Sequence, residues 1–364
     1  MKIKDIQVFA VDLELMGEHR GSHTRYSVTN DVYVKIQTED GASGFGATAP
    51  KYYITGETQG TVVSVLRKNI IPAILGENAF NIELIHEKMN KAIKGNTSAK
   101  AAIDIALYDL MGKALNLPVY QLLGGAYRTK LPAFDLIGIW SPEEASEKVQ
   151  QRITEGYREF KVKVGHSPES DLKRVEAVGK VAAGLPLKVD ANQAWTPKQA
   201  VYLVNRFREY GVTVVEQPVH MDDLEGLALV RNACPEVELI VDESLKSLQD
   251  ALRIIKFQAA DLFNIKLIKS GGIHPARKIA AVAEAAGINC MAGCTLQNSL
   301  IDAATAHLAA ATRHITLNEI KSPQWIKNDV ATGLVISGGD VHVPAGPGLG
   351  MAIDEEQLNS FRID

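Results

Sequence analysis

The pattern of hydrophobic and polar positions divides the chain into parts with different secondary structure. Within residues 1–60, apolar and polar residues alternate with the period of two that is typical of strands, most clearly over Asp31–Thr38. Residues 61–117 follow helical spacing, most clearly from Ser98 to Asn116, and Pro118 then supplies a stop signal. Strands followed by helices predict a separate α+β domain.

A regular repeat begins after the first 125 residues. Short β-rich runs alternate with amphipathic helical stretches, and five of the runs end in a charged residue. These five residues are Lys163, Asp190, Glu216, Asp242 and Lys266. Their separations of 27, 26, 26 and 24 residues leave room for one strand, one loop and one helix. Two further units fit around Ile288–Gly293 and Ile315–Lys321. The repeat predicts a (β/α) TIM-type barrel, which has its catalytic side chains at the C-terminal strand ends.

We therefore expect two domains. Residues 1–125 form the α+β domain, and the barrel covers residues 126–337. The glycine-rich C-terminal tail, residues 338–364, is expected to return to the first domain.

Composition excludes several classes of function. The chain has 364 residues, 46% hydrophobic and 23% charged, which is ordinary globular composition. A net charge of -4 without a long basic run argues against nucleic-acid binding. The three cysteines are odd in number and form no Cys-x-x-Cys pair, so neither a disulfide framework nor a structural zinc site is expected. The lack of a long apolar run or signal-peptide core predicts a soluble, cytoplasmic protein that does not bind membranes.

Three of the repeats end in an acidic residue at an equivalent position: Asp190, Glu216 and Asp242. Consecutive strand ends are neighbours around a barrel, so these carboxylates should converge and repel one another unless a cation neutralises them. A ligand set made only of oxygen atoms suits a hard ion such as Mg²⁺. The simpler alternative is that the acids cap the following helices. Their matching register favours the metal site.

Lysines end the repeats on either side of the three acids. Lys163 and Lys266 lie on strands separated by three others, so their ammonium groups should face each other across the barrel mouth. A lysine beside a metal and a second cation is biased towards its neutral form, which a general base needs. Lys161 shares a strand face with Lys163 and would add such a charge. Solvated surface lysines are the alternative, but each of these lies inside an apolar strand.

A series of longer motifs carries a family resemblance over nearly the whole chain. The motifs lie at residues 101–112, 118–125, 161–163, 189–195, 216–218, 242–244 and 264–273. In this order they resemble the enolase superfamily, in the muconate-lactonizing-enzyme subgroup that includes dipeptide epimerases and N-acylamino-acid racemases. No histidine occupies a strand end near residue 264 or 291, which argues against the mandelate-racemase subgroup.

The resemblance implies roles for the strand-end residues. Asp190, Glu216 and Asp242 would ligate Mg²⁺, which holds the carboxylate of a small-molecule substrate. Lys163 and Lys266 would act as acid and base on opposite faces of an enediolate, the mechanism known for enolase-superfamily sites. Stabilisation of the second negative charge by a divalent ion and flanking cations makes an α-proton removable.

The same resemblance adds supporting and structural expectations. Lys161 and Asn192 would support the catalytic residues, and the α+β domain would cap the barrel mouth. Assembly into homo-oligomers is also implied. The capping domain contains the loop from residue 19 to Arg25, which family members use to contact the distal part of the substrate; a plain solvated loop is the alternative.

The chain departs from the dipeptide-epimerase pattern on the eighth strand. Those enzymes carry Asp-x-Asp there and bind the substrate's ammonium group, whereas this chain has Glu319 and Lys321. Residues two apart on a strand share a face, so we expect the two charges nearly to cancel. This cancellation disfavours a dipeptide with a free ammonium group as the substrate. The pattern of Glu319 and Lys321 resembles N-succinylamino-acid racemases more closely. The alternative is that the two residues form a surface salt bridge. Gln297 lies where related enzymes often carry Glu. We expect it to contact the substrate, and the alternative is that it caps a helix.

The leading prediction is racemisation or epimerisation of an amino-acid derivative, such as an N-acylamino acid or a dipeptide, at its α-carbon. Two other reactions could start from the same enediolate, namely cycloisomerisation of a muconate-like acid and syn-dehydration of a hydroxy acid. A barrel that only binds a ligand is a further alternative, but it would not need two opposed bases.

Overall fold

The computed structural model describes residues 1–20 and 25–363. The chain starts with an antiparallel sheet of three strands, β1 Ile3–Arg20, β2 Arg25–Thr38 and β3 Ser43–Thr48. The alternation predicted for this region is confirmed, since Val32, Val34 and Ile36 on one face of β2 are buried in an apolar cluster with the helices that follow.

The helical segment packs against this sheet. Its helices are α1 Tyr52–Thr55, α2 Gln59–Val65, α3 Ile71–Ile74, α4 Ile82–Ala92, α5 Thr97–Leu115 and α6 Val119–Leu122, with a π-helical turn at Leu66–Ile70 between α2 and α3. The predicted helix from Ser98 to Asn116 corresponds to α5. It crosses β3 so closely that a Cβ atom at Gly46 would lie 2.1 Å from the Ala102 carbonyl oxygen, so only glycine fits there.

Eight parallel strands form the barrel, as predicted. They are β5 Asp135–Ile137, β6 Phe160–Lys163, β7 Leu187–Asp190, β8 Val212–Glu216, β9 Glu238–Val241, β10 Leu262–Ile265, β11 Asn289–Ala292 and β12 Ile315–Asn318. Each pairs with the next in chain order. The two edges meet where the Phe134 N–H donates to the Asn318 carbonyl at 3.4 Å. This order brings the C-terminal ends of β6 to β10 side by side.

Helices follow the barrel strands. They are α7 Pro142–Thr154, α8 Pro168–Val181, α9 Pro197–Arg208, α10 Leu224–Ala233, α11 Leu248–Phe257, α12 Leu267–Ser270, α13 Ile273–Ala285 and α14 Ser299–Ala311. Several begin with a side-chain cap, as where the Ser141 hydroxyl of α7 accepts the Glu144 N–H at 3.2 Å. Such caps satisfy the first free N–H groups of each helix.

The end of the chain returns to the first sheet. After the short strands β13 Ala331–Thr332, β14 Val335–Ser337, β15 Asp340–His342 and β16 Ala352–Ile353 comes α15 Glu355–Ser360. The Ile363 N–H donates to Ala10 of β1 at 2.9 Å, and Lys35 of β2 pairs with Glu355 at 2.7 Å. β14 and β15 form a second small sheet with β4 Lys130–Pro132. This sheet joins residues from both sides of the predicted limit at residue 338. The domain limits at residues 125 and 338 therefore stay predictions.

The described residues contain no helix that is both long and apolar enough to cross a membrane. All three cysteines are buried and unpaired, as expected from their spacing.

Candidate active site

The three predicted carboxylates lie together at the C-terminal ends of neighbouring strands. Asp190 ends β7 and pairs in register with Glu216, the last residue of β8, while Asp242 directly follows β9. All three are buried, with 1%, 1% and 3% of their surfaces exposed. Burial first, and then the charge of Asp190, raises the pKa of Glu216 to about 7, and Asp242 adds to this effect. The site therefore concentrates negative charge where the sequence predicted it.

Four lysine ammonium groups contact these acids. Lys163 Nζ lies 2.5 Å from Asp190, and Lys161 Nζ lies 3.0 Å from Glu216 and 3.6 Å from Asp190. On the other side, Lys266 Nζ lies 2.6 Å from Asp242. The fourth, Lys269, is buried and donates to both the backbone and the side chain of Asp242.

The sequence analysis did not single out Lys269. It lies on α12, a single turn of helix directly after Lys266, so it belongs to no strand repeat. The signal that could have found it is a lysine three residues after a strand-end lysine within an apolar stretch, because such a spacing places both on one helical face.

The surroundings of Lys266 differ from the expectation of a lowered pKa. Burial does act to lower the pKa of this lysine, but Asp242, followed by Glu319 and Glu216, outweighs it and holds the pKa well above its usual range. The lysines in turn keep Asp242 ionised: despite burial, Lys266 and Lys269 hold the pKa of Asp242 well below its usual range. In this arrangement Lys266 is therefore a stable ammonium ion.

Asn192 connects the catalytic candidate Lys163 to a further acidic residue, Glu243. Its side-chain oxygen accepts from Lys163 Nζ at 2.7 Å, and its amide donates to Glu243 at 3.1 Å. Burial, with Asp242 and Asp190, raises the pKa of Glu243 to about 7. The second oxygen of Glu243, Oε2, is buried and has no hydrogen-bond partner among the described residues.

Glu319 and Lys321 do not form the mutually cancelling or surface pair that the sequence suggested. Both are buried, and they contact different partners: Glu319 lies 2.5 Å from Lys161, whereas Lys321 pairs with Asp135. The expected cancellation is absent because each residue has its own counter-ion, although both side chains line the same cavity. β12 already ends at Asn318, so the period-two rule for strand faces does not extend to residue 321.

Asp135 was not predicted as part of the site. It opens β5, is 1% exposed, and its second oxygen lies 3.0 Å from Arg152 Nε of α7. A buried aspartate with two cationic partners makes this a charged cluster in its own right. The three-residue strand β5 is too short for its pattern to stand out in the sequence.

The remaining two substrate-binding candidates are placed differently. Gln297 is buried and bonds to Thr295 and Asp302, and it does not line the central cavity. The geometry therefore gives Gln297 a structural place and no direct access to a substrate. Arg25 opens β2, but its side chain, like the loop residues 21–24 before it, lies outside the described part of the structure.

A cavity of about 300 Å³ opens at these strand ends. The acid and lysine residues Lys161, Lys163, Asp190, Asp242, Glu243, Lys266 and Glu319 line its inner end. The rest of the lining is mostly apolar and cationic: Met16, Tyr53, Ile54, Leu136, Trp140, Lys148, Arg152, Leu296, Lys321 and Trp325. It is completed by Asp135, Gly138, Asn192, Cys294, Thr295 and Gln324. The charged side chains of the inner end can bind an anionic group next to a reactive carbon. The outer end has room for a larger substituent.

The donor set at the inner end fits a hard divalent cation. Its buried acids offer only oxygen atoms, and the unpartnered Oε2 of Glu243 is an acceptor left without a donor or cation. Within residues 1–20 and 25–363, no three His, Cys, Asp or Glu side chains are already arranged as a metal cage. The ion pairs give the reason, since Asp190 and Asp242 contact lysines instead.

Comparison with known families agrees with the fold. The family described as "Mandelate racemase / muconate lactonizing enzyme, N-terminal domain" matches residues 4–124. The family described as "Enolase C-terminal domain-like" matches residues 144–357. Together the two matches cover most of the chain.

Individual relatives are similar over almost their full lengths. An N-succinyl-L-Arg/Lys racemase from Bacillus cereus is 38% identical over 100% of this chain and 98% of its own, and its crystal structure superposes with a TM-score of 0.97. A hydrophobic dipeptide epimerase from Enterococcus faecalis is 41% identical over 92% of this chain and 94% of its own. Its complex with Mg and the dipeptide L-Leu-L-Tyr has a TM-score of 0.93, 38% identity, and covers 97% of this chain and 100% of that one.

A third relative catalyses a different isomerisation. A chloromuconate cycloisomerase from Pseudomonas putida is 32% identical over 99% of both chains. All three relatives are isomerases with this barrel and this additional domain. The chain is therefore an isomerase and belongs to the mandelate racemase/muconate lactonizing enzyme group of the enolase superfamily.

Proposed function

We propose that the protein is a magnesium-dependent racemase of N-acylamino acids, in which Lys163 and Lys266 exchange the α-proton. The observation that carries this proposal is the placement of the two lysines. They line one cavity from β6 and from the end of β10, together with Asp190 and Asp242, and Glu216 lies next to Asp190 at the end of the strand between those two acids. Two bases facing each other across a substrate are what inversion at a carbon requires.

The residues of the chain divide the work. One lysine, in its neutral form, removes the α-proton, and the other, as an ammonium ion, protonates the opposite face of the planar enediolate. Lys161 is fully buried between Glu216 and Glu319 and provides a fixed positive charge near the developing anion. Lys266 must be released by Asp242 before it can act as a base, because that contact keeps it protonated.

Asp190, Glu216 and Asp242 would hold the Mg²⁺ ion. When bound, the ion would neutralise the substrate carboxylate and stabilise the second negative charge of the enediolate. A complex of the Enterococcus faecalis relative with Mg supports this assignment.

The outer end of the cavity supports an N-acyl substrate over a dipeptide with a free ammonium group. Glu319 is already engaged by Lys161, and Lys321, whose pKa is lowered to about 7 by burial, lies on the cavity wall beside Asp135. Lys148 and Arg152 line the same end, against the single buried acid Asp135. We propose that an acyl group ending in a carboxylate, such as succinyl, fits this excess of positive charge. The name of the Bacillus cereus relative points to the same class of substrate.

Cycloisomerisation of a muconate-like acid is the second candidate, because relatives of that activity match nearly the whole chain. Syn-dehydration of a hydroxy acid would use the same inner residues. In both reactions a single lysine carries out the limiting proton transfer.

The direct test is incubation of the magnesium-loaded enzyme with N-succinyl, N-acetyl and free-amine forms of several amino acids in deuterated water. We expect α-deuterium in both enantiomers of N-succinyl substrates, detected by NMR and chiral chromatography, with slower uptake by N-acetyl forms. Uptake by no amino-acid derivative, together with lactone formation from a muconate, would replace this proposal with the cycloisomerase.

A further inference from the structure

A buried polar cluster lies behind the outer wall of the cavity, between the first sheet and the barrel. It consists of Thr29 and Asp31 of β2, Lys51 before α1, and Asn298 before α14. All four are at most 5% exposed, and none of them lines the cavity. The proposed reaction gives them no chemical part.

The Thr29 hydroxyl lies at the centre of this cluster. It donates to Asp31 Oδ1 at 2.6 Å, accepts from Lys51 Nζ at 3.2 Å, and lies 3.2 Å from the Leu296 carbonyl oxygen. The other oxygen of Asp31 accepts from the Asn298 amide at 2.7 Å. One strand of the first sheet is thereby connected to both neighbouring segments.

Each of those segments carries part of the cavity wall. The Lys51 carbonyl accepts the N–H groups of Ile54 and Thr55, at 2.9 and 3.0 Å, and so starts the turn that presents Tyr53 and Ile54 to the cavity.

On the barrel side, the Asn298 side chain caps α14 through the N–H groups of Leu300 and Ile301. It lies two residues after Leu296, the last of residues 294–296, which line the cavity. The cluster therefore ties the wall supplied by the first sheet to the wall supplied by the barrel.

A second connection between the two parts uses backbone groups. The Met16 N–H donates to the Trp325 carbonyl at 2.7 Å, and the Lys327 N–H donates to the Glu14 carbonyl at 2.9 Å. Because this connection does not depend on side chains, substitutions in the cluster can loosen one wall while the first sheet stays attached.

We propose that Thr29 and Asp31 are specificity-positioning residues, which set the affinity for the distal part of the substrate by holding residues 53–54 and 294–296 in register. This inference rests on the proposed function for its kinetic test only. The side-chain hydrogen bonds that Thr29 and Asp31 form within the described residues run to Lys51, Leu296 and Asn298 and not to the strand ends of β6 to β10, so we expect the proton-transfer rate to be independent of these two residues.

The test compares Thr29→Val, which removes the hydroxyl at nearly constant shape, with Thr29→Ser, which restores it. Thr48→Val is a matched control, because Thr48 is equally buried on the adjacent strand and its hydroxyl has no partner among the described residues. We expect Thr29→Val to raise KM for the N-acyl substrate about three- to tenfold, the value of one lost hydrogen bond, with kcat within about twofold. Thr29→Ser and Thr48→Val should keep the parental KM.

A second readout needs no substrate. Amide hydrogen exchange at residues 52–55 and 294–298 should become faster in Thr29→Val and stay unchanged in Thr48→Val. Equal exchange in both variants, or a loss of kcat with unchanged KM, would overturn the positioning role. If the parent enzyme acts on no amino-acid derivative, the proposed function fails, and the exchange measurement still decides this inference.

Discussion

Removal of the Lys321 charge should destabilise the protein strongly, because it would leave Asp135 buried with one partner. Both side chains are at most 2% exposed, and Arg152, 3.0 Å from Asp135, is the remaining cation. Loss of one partner from a buried ion pair costs about 3–5 kcal/mol. Since Arg152 still compensates part of the Asp135 charge, we expect Lys321→Met to lower the free energy of unfolding by about 3 kcal/mol.

The double variant separates the charge effect from the packing effect. In Asp135→Asn with Lys321→Met, no buried charge is stranded except that of Arg152, which can still pair with Glu155. We therefore expect the double variant to be more stable than Lys321→Met alone, with a coupling free energy of about 2 kcal/mol. Burial lowers the pKa of Lys321 to about 7, so the lysine is charged at pH 6. Urea unfolding of the four proteins at pH 6, followed by circular dichroism, gives all the terms of the cycle.

Lys173→Met is the matched control, because Lys173 forms an exposed ion pair with Glu169. Its unfolding free energy should equal that of the parent. The reasoning would be refuted if Lys321→Met were as stable as this control, or if the effects of the Asp135 and Lys321 substitutions were simply additive.

Four further substitutions have definite expected results. Glu216→Gln should abolish turnover. Its melting temperature, measured by calorimetry in EDTA at pH 8, should be no lower than that of the parent, because burial and Asp190 make the ionised form of Glu216 unfavourable in the folded protein. Asp242→Asn should melt at a lower temperature, because it leaves Lys266 and Lys269 without their carboxylate partner. Burial raises the pKa of Asp31 from 3.8 to about 6, so this group favours folding below pH 4, and about 3 kcal/mol of that contribution is lost as the pH rises through 6. The melting temperature of Asp31→Asn should therefore rise relative to the parent between pH 4 and 7, and a constant difference would contradict the shift. Lys148→Met should raise KM for N-succinyl substrates by up to about fivefold and leave KM for N-acetyl substrates unchanged, in steady-state assays of both.

The barrel could be predicted from the sequence because its βα units recur at nearly constant spacing. Spacings of 24 to 27 residues located β6 to β10 and the charged residue at the end of each. The short strand β5 was missed, since three residues cannot display a period, and Asp135 was missed with it.

The misjudged features depend on where regular structure stops. The eighth strand ends at Asn318, so no strand register relates Glu319 to Lys321, and Lys321 pairs with Asp135 while Glu319 pairs with Lys161. Lys269 follows the strand on one helical turn, where no repeat marks it. The high pKa of Lys266 is caused first by Asp242, which the repeat spacing places beside it, and then by Glu319, which no spacing rule connects to it.

The central claim is that Lys163 and Lys266 serve opposite faces of one substrate, and exchange in single-lysine variants tests it most directly. Lys163→Ala and Lys266→Ala should each fail to racemise an N-acylamino acid in deuterated water. Each variant should still incorporate α-deuterium into one enantiomer, and the enantiomer should differ between the two variants. If the parent enzyme exchanges one enantiomer only, and one of the two lysines can be replaced without loss of that exchange, the two-base account is contradicted.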